Sequence, residues 1–152
     1  MNNTVEKEIK EKGYYGGLTH GSSMYPLLYN LRDIVHIIPI NGKLKKYDVV
    51  LFRRKNGQLV LHRLLRSVNS GYIMCGDGQF KKEYRVQQSQ IIGVMDSFYR
   101  NKKYICVTNL WYKFYVYIWC FSLPTKWILM KAYNLVIKIK KYFKTHKFSN
   151  RS

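Results

Sequence analysis

The sharpest chemical feature of the sequence is a short loop, Gly21-Ser22-Ser23-Met24-Tyr25-Pro26. A serine in a glycine-containing turn, with proline three residues on, sits on stiff backbone and presents its hydroxyl. The adjacent backbone N–H groups of Ser22 and Ser23 can converge as a donor pair for an oxyanion. A serine hydroxyl is a weak nucleophile and needs a general base within hydrogen-bond reach. Two histidines are candidates, His20 and His62. His20 lies three residues before Ser23, within a glycine loop that enforces little geometry. His62 belongs to the alternating run Val60, His62, Leu64, which places it on an apolar strand face. Burial there lowers an imidazole pKa and leaves the ring neutral and able to accept a proton. His36 also sits in an apolar strand. A lone strand histidine is more often a packed core or surface residue than a base, and spacing alone leaves both readings open.

The elements that must position these groups are short β-branched runs separated by turn residues. They are 34–40 (IVHIIPI), 49–54 (VVLFRR), 59–66 (LVLHRLLR), 72–76 (YIMCG), 91–100 (IIGVMDSFYR) and 102–108 (KKYICVT). Asn56-Gly57 marks a hairpin because both residues tolerate positive φ. Asn69-Ser70-Gly71 marks a second hairpin and Asn101 a third. The glycines at 13, 16, 17 and 21 read as one long loop running to Pro26, and residues 1–12 as a polar segment, a short helix or loose. Strands at this spacing predict a mainly β domain over 13–108, a small antiparallel sheet or partly open barrel.

The remaining residues, 109–152, change character. Of 152 residues, 27 are Lys or Arg and 8 are Asp or Glu, a formal charge of +19. No acid occurs from Ser97 onward, where twelve Lys and Arg stand among fifteen aromatic residues. Such an excess calls for an anionic partner, either a membrane surface or nucleic acid. Within 126–143, Lys131, Asn134, Lys138 and Lys141 recur every three to four residues and apolar side chains cover the rest. This pattern predicts a basic amphipathic helix. The preceding aromatic stretch, 110–121, suits the headgroup region of a bilayer. Trp111, Trp119, Trp127, Lys131, Lys138 and Lys141 are the candidate membrane contacts. The aliphatic face favours lipid over nucleic acid, and no specific nucleic-acid partner is expected; packing of 126–143 on the domain is the plainer alternative. The first thirty residues contain no apolar run, which predicts neither a signal peptide nor an N-terminal anchor. No segment reaches the roughly 18 uncharged apolar residues of a spanning helix. Three cysteines (Cys75, Cys106, Cys120) without CxxC spacing predict free thiols in a reducing compartment and no metal or other cofactor. Together these predict a membrane-associated chain, peripheral or monotopic, with the cytoplasmic face the expected side.

The segments GSSMYPLL, LKKYDVVLFRR, LVLHRLLR and YIMCGDGQ, in that order, resemble the successive motifs of the signal peptidase/LexA-like serine peptidases. The likeness covers about residues 15–100. It implies the fold of that superfamily, with Ser23 of the S-M-x-P box as nucleophile. The pair His62-Arg63 is similar to the endoplasmic-reticulum and archaeal-type branch, in which a histidine replaces the more common lysine base. Gly76-Asp77 corresponds to the family's G-D box, with Gly78-Gln79 where asparagines are usual. Members of the histidine branch carry an acid a few positions later, and Glu83 is the nearest. The resemblance implies that Asp77 or Glu83 orients the imidazole, Asp77 equally being a brace for the loops. It also implies that Met24, Leu27 and Leu28 line a groove for an extended peptide. The implied activity is serine endopeptidase cleavage of a leader or signal segment at or near a membrane. The alternatives are an inactive membrane-associated peptide-binding module, or a nucleic-acid binder acting through the basic tail.

Overall fold

The computed structural model describes residues 4–121 and, beyond them, the helical positions 128, 131, 132, 135, 136 and 139. It opens with α1 (Thr4–Lys12), which buries Val5 and Ile9. Eight strands follow: β1 (Tyr15–Leu18), β2 (Ile34–Ile38), β3 (Val49–Arg53), β4 (Leu59–Val68), β5 (Gly71–Cys75), β6 (Lys82–Val86), β7 (Ile91–Arg100) and β8 (Lys103–Cys106). Helix α2 (Leu110–Phe121) comes next. The chain divides into two compact units, Met1–Phe114 and Tyr115–Ser152.

The strands form one open antiparallel sheet, ordered β1-β2-β7-β3-β4-β5-β6, with β8 also on β7. The mainly β expectation is met. Strand β7 is long enough to take β3 on its first residues and β8 on its last, with β2 along the other edge. Register shifts interrupt four of the ladders, and such bulges bend and twist a sheet. As a result β1 and β4, four places apart in the order, line the same groove. The core beneath β3–β6 is built from Val50, Phe52, Val60, Leu64, Met74 and Val86.

Two elements depart from the sequence expectations. Residues 15–18, read as loop, are β1. Tyr15 supplies the missing packing by laying its ring over Gly17, where a Cβ would stand 2.6 Å from it. Residues 82–86 (KEYRV) form β6, a polar edge strand whose charges hide the alternation and shield an unpaired edge. The aromatic run 110–121 is helical, capped by Asn109, whose Oδ1 accepts the Trp111 N–H at 2.8 Å. Among the expected turns, Asn101 and Lys102 both have positive φ, as a two-residue β7–β8 hairpin requires. Gly57 closes β3–β4 at φ +84.

The described positions of the second unit are helical, and Ile128, Leu135, Val136 and Ile139 are exposed. Trp127, Lys138 and Lys141, and most of the basic helix expected over 126–143, lie outside the described residues.

Gly71 sits at φ +123, and a Cβ there would lie 2.5 Å from the Val86 carbonyl oxygen. Gly71→Ala is therefore expected to destabilise the fold by about 1–3 kcal/mol, read as a lower urea midpoint with an unchanged m-value.

Candidate active site

The serine loop is the connection between β1 and β2, and its neck is tied before the serines are reached. Thr19 N–H donates to the Asp33 carbonyl at 2.9 Å and Leu31 N–H to the Thr19 carbonyl at 2.8 Å. Thr19 Oγ1 reaches the carbonyls of Tyr29 and Asp33 at 2.7 and 2.9 Å. The carboxylate of Asp33 is wholly buried. It accepts from Tyr29 N–H at 3.0 Å, Arg32 Nε at 2.7 Å and Arg100 Nη2 at 3.2 Å. Desolvation works against its ionisation, but the Arg32, Tyr29 and Arg100 contacts win and hold its pKa below the usual carboxylate range. Arg100 also donates to the Leu27 carbonyl. Two strands and an arginine from a third thus fix a loop that would otherwise be mobile.

Within that frame Ser22 is exposed and Ser23 half-buried. Their backbone N–H groups make no hydrogen bond within the described residues, so both donors remain available. Met24 and Leu28 are buried and line the groove as expected. Leu27 does not. It is buried but does not line the groove, and the coil at 24–28 is closed by Leu28 N–H to Met24 O at 2.9 Å.

His62 occupies the middle of β4, paired with Val50 of β3 and 1% exposed. The edge of the Phe52 ring approaches it, with centroids 6.0 Å apart. Its Nδ1 lies 3.0 Å from Glu83 Oε1, off the line of a well-aligned hydrogen bond. At the opposite end, Nε2 stands 3.2 Å from where a Cβ on Gly76 would be. That same Cβ would collide with the Ser23 carbonyl oxygen. Gly76 is therefore the residue wedged between the serine loop and the imidazole, and only a hydrogen side chain lets the two approach. Gly78 repeats the arrangement: its N–H donates to Ser23 O at 2.8 Å, and a Cβ would meet Ser22 O at 2.8 Å. Ser23 and His62 line one groove of about 450 Å³ without a hydrogen bond between them. His20, exposed on the loop, lines it as well.

The two acids take different positions. Asp77 is engaged by Arg63, the neighbour of His62, through two parallel bonds: Nε to Oδ1 at 2.7 Å and Nη2 to Oδ2 at 2.6 Å. Both side chains are almost completely buried. Arg63 Nη1 also donates to the Tyr47 carbonyl at 2.8 Å and lies 3.3 Å from Tyr112 Oη. Asp77 thus braces the turn, and Glu83 is the acid that the fold brings against His62 Nδ1. Glu83 is in turn held by Arg54, whose Nε donates to Oε2 at 2.9 Å and whose Nη2 donates to Oε1. The Arg54 guanidinium lowers the Glu83 carboxyl pKa below its ordinary value. For His62, burial lowers the pKa. Glu83 pulls it up, Arg54 pushes it down, and the net shift is downward. A neutral imidazole at neutral pH is the outcome.

His36 has a separate set of partners. Its Nδ1 is 2.7 Å from Asp96 Oδ1, and it packs on Tyr14. Sequence reasoning missed Arg54 and Gly78. Both are visible only when β3, β6 and the serine loop are seen side by side. Among the described residues no His, Cys, Asp and Glu cluster is arranged to hold a metal ion.

Removing the partner of a buried charge is expensive. Asp77→Ala is expected to lower unfolding free energy by about 3–5 kcal/mol, and Gly76→Ala by about 1–3 kcal/mol through overpacking. Urea titration of both variants checks this.

Comparison of the chain with models of known protein families, with curated proteins and with solved structures found no match.

Proposed function

We propose that the chain is a serine endopeptidase of the signal-peptidase-like type, with Ser23 as nucleophile and His62 as general base. The observation that carries this reading is Gly76, held between the Ser23 carbonyl and His62 Nε2 at distances only glycine permits. A structural serine loop has no need to be pressed against a buried, neutral histidine that has a carboxylate at its other nitrogen.

In this reading the substrate lies extended in the groove and adds to the edge of β1 that carries no strand among the described residues, the other edge being paired with β2. Ser23 Oγ attacks the scissile carbonyl carbon as His62 Nε2 takes the hydroxyl proton. The oxyanion accepts from the N–H groups of Ser22 and Ser23. The imidazolium returns its proton to the leaving amine, and water then hydrolyses the acyl-enzyme with the same base. Hydrogen bonds between nucleophile and base are commonly loose before substrate binds and tighten in the reacting complex. Glu83 stabilises the imidazolium, and Asp77 holds the turn that keeps the loop in place.

The substrate class, a leader or signal segment cut at an anionic membrane surface, is supported by where apolar side chains reach solvent. Leu18, Ile34, Tyr99 and Tyr104 are partners across β1, β2, β7 and β8, and all four are exposed. Partners on adjacent strands share a sheet face, so they form one apolar row, and Leu18 also lines the groove. Exposed Lys102 and Lys103 flank it. On α2, Leu110, Trp111, Phe114, Tyr117 and Ile118 are exposed at helical spacing. Trp119 is half-buried, stacked on Tyr115 with centroids 5.8 Å apart. Lys131 is exposed. No helix of the described residues is long and apolar enough to cross a membrane, which fits attachment at the surface.

Two outcomes are expected. Incubation with a library of leader-like peptides, read by mass spectrometry, gives cleavage that Ser23→Ala and His62→Ala each abolish while both variants stay folded. Retained cleavage by either variant contradicts the dyad. Vesicles containing anionic lipid bind the chain in a salt-dependent manner. Tyr104→Ser with Trp111→Ser weakens that binding roughly tenfold. Binding to single-stranded nucleic acid in preference to vesicles contradicts the membrane reading.

A further inference from the structure

The mechanism above uses Ser23, His62 and Glu83 and gives no part to Arg54, which also lines the groove. Arg54 is the first residue beyond β3, and the turn grips it by both backbone and side chain. Its N–H donates to the Gln58 carbonyl at 2.9 Å, its carbonyl accepts from Gly57 N–H at 2.9 Å, and its Nη1 donates to Gln58 Oε1 at 2.6 Å. From this anchored base the guanidinium reaches past β4 and β5 to β6. There it takes both oxygens of Glu83, Nε on Oε2 and Nη2 on Oε1. Oε1 is the same oxygen that lies 3.0 Å from His62 Nδ1. One carboxylate oxygen is thus shared between a fixed cation and the imidazole.

A glutamate has three side-chain torsions and, alone on an edge strand, swings freely. A planar two-pronged guanidinium removes that freedom in a way an ammonium cannot. We propose that Arg54 is a positioning residue of the site. Its grip on Glu83 fixes the carboxylate against His62 Nδ1, so that the ring carries its proton there and keeps the Nε2 lone pair toward Ser23. The inference rests on the peptidase reading for its catalytic consequence, but the tautomer it assigns to His62 is a property of the folded chain.

The guanidinium has a second effect on the same ring. The charged groups acting on His62 are Glu83 from β6, Arg54 from the β3–β4 turn and Asp77 from the β5–β6 turn. Asp77 is already bound by Arg63. Strand β3 presents the uncharged Val50 and Phe52, and the serine loop carries the exposed His20. Burial lowers the basicity of His62, Glu83 opposes it, and Arg54 adds to the lowering. Without Arg54 the positive charge that lowers the ring's basicity is gone, so His62 protonates at higher pH. Without Glu83 the shift runs the other way.

The test is nitrogen-15 NMR of the His62 ring across a pH series in the full chain, for wild type, Arg54→Gln, Arg54→Lys and Glu83→Gln. Labelling rates with a fluorophosphonate probe are measured alongside. Wild type is expected to show the Nδ1–H tautomer. Arg54→Gln is expected to show mixed tautomers and a His62 midpoint raised by about half a pH unit or more. Its labelling is slowed about ten- to a hundred-fold, and the acid limb of the labelling profile moves to higher pH. Arg54→Lys recovers part of the midpoint shift and less of the tautomer. Glu83→Gln lowers the midpoint. An unchanged tautomer and midpoint in Arg54→Gln, whatever its stability, overturns the proposal and leaves Arg54 as a turn anchor. If wild type shows the Arg54-dependent tautomer but Ser23 never labels, the peptidase reading fails and the positioning role stands.

Discussion

The buried ion pair between Arg63 and Asp77 is the constraint on which the rest of the site depends. Adjacent strand residues face opposite sides of a sheet, so anchoring Arg63 on one face of β4 also fixes where His62 points on the other. Asp77 belongs to the turn whose flanking glycines, Gly76 and Gly78, touch the serine loop. One pair of charges therefore sets both the direction of His62 and the backbone that holds Ser23. Burying two charges is costly unless their geometry is close to ideal and their remaining atoms find partners. Here the pairing is two-pronged, and the remaining guanidinium nitrogen donates to the Tyr47 carbonyl. Such a pair contributes precision more than stability, and precision is what the proposed nucleophile and base would need of each other.

On the opposite face of the sheet the electrostatics run differently. His62 sits among Phe52, Val50 and the β4 backbone, where an imidazolium is poorly solvated. Glu83 offers it a counter-charge, but that carboxylate is already engaged by Arg54. The ring is left neutral at rest, yet has a negative charge at hand when it takes up a proton. The two acids near the site thus differ in what faces them. Asp77 meets a buried arginine, and Glu83 meets an arginine and His62 together.

Much of this arrangement was legible from residue order. The β-branched runs 49–54, 59–66, 72–76 and 91–100 are strands, short apolar stretches bounded by turn residues. The glycine and asparagine turns fall where positive φ is required. The serine loop, His62 and the Gly76-Asp77 turn stand out in the sequence by residue type and order. Three things were not legible. The pairing of Tyr15 with Gly17 makes a strand of a segment whose composition reads as loop. Strand β6 has the polar pattern of an exposed edge, which local periodicity does not distinguish from a turn. The choice between Asp77 and Glu83 depends on which arginine each acid meets. That follows from sheet order, a long-range fact that no short window of sequence contains.

The basic and aromatic character of the chain bears on place, and the groove bears on chemistry. The exposed row from Leu18 to Tyr104 joins the two, since it begins at the groove and ends among lysines. The measurement that tests the central claim most directly is the site of covalent modification by a serine-directed phosphonate, mapped by peptide mass spectrometry. The account predicts a single adduct on Ser23 in the folded wild-type chain, absent after denaturation and absent in His62→Ala. An adduct that forms equally without His62, or a folded chain in which Ser23 stays unmodified at high probe concentration, would contradict it.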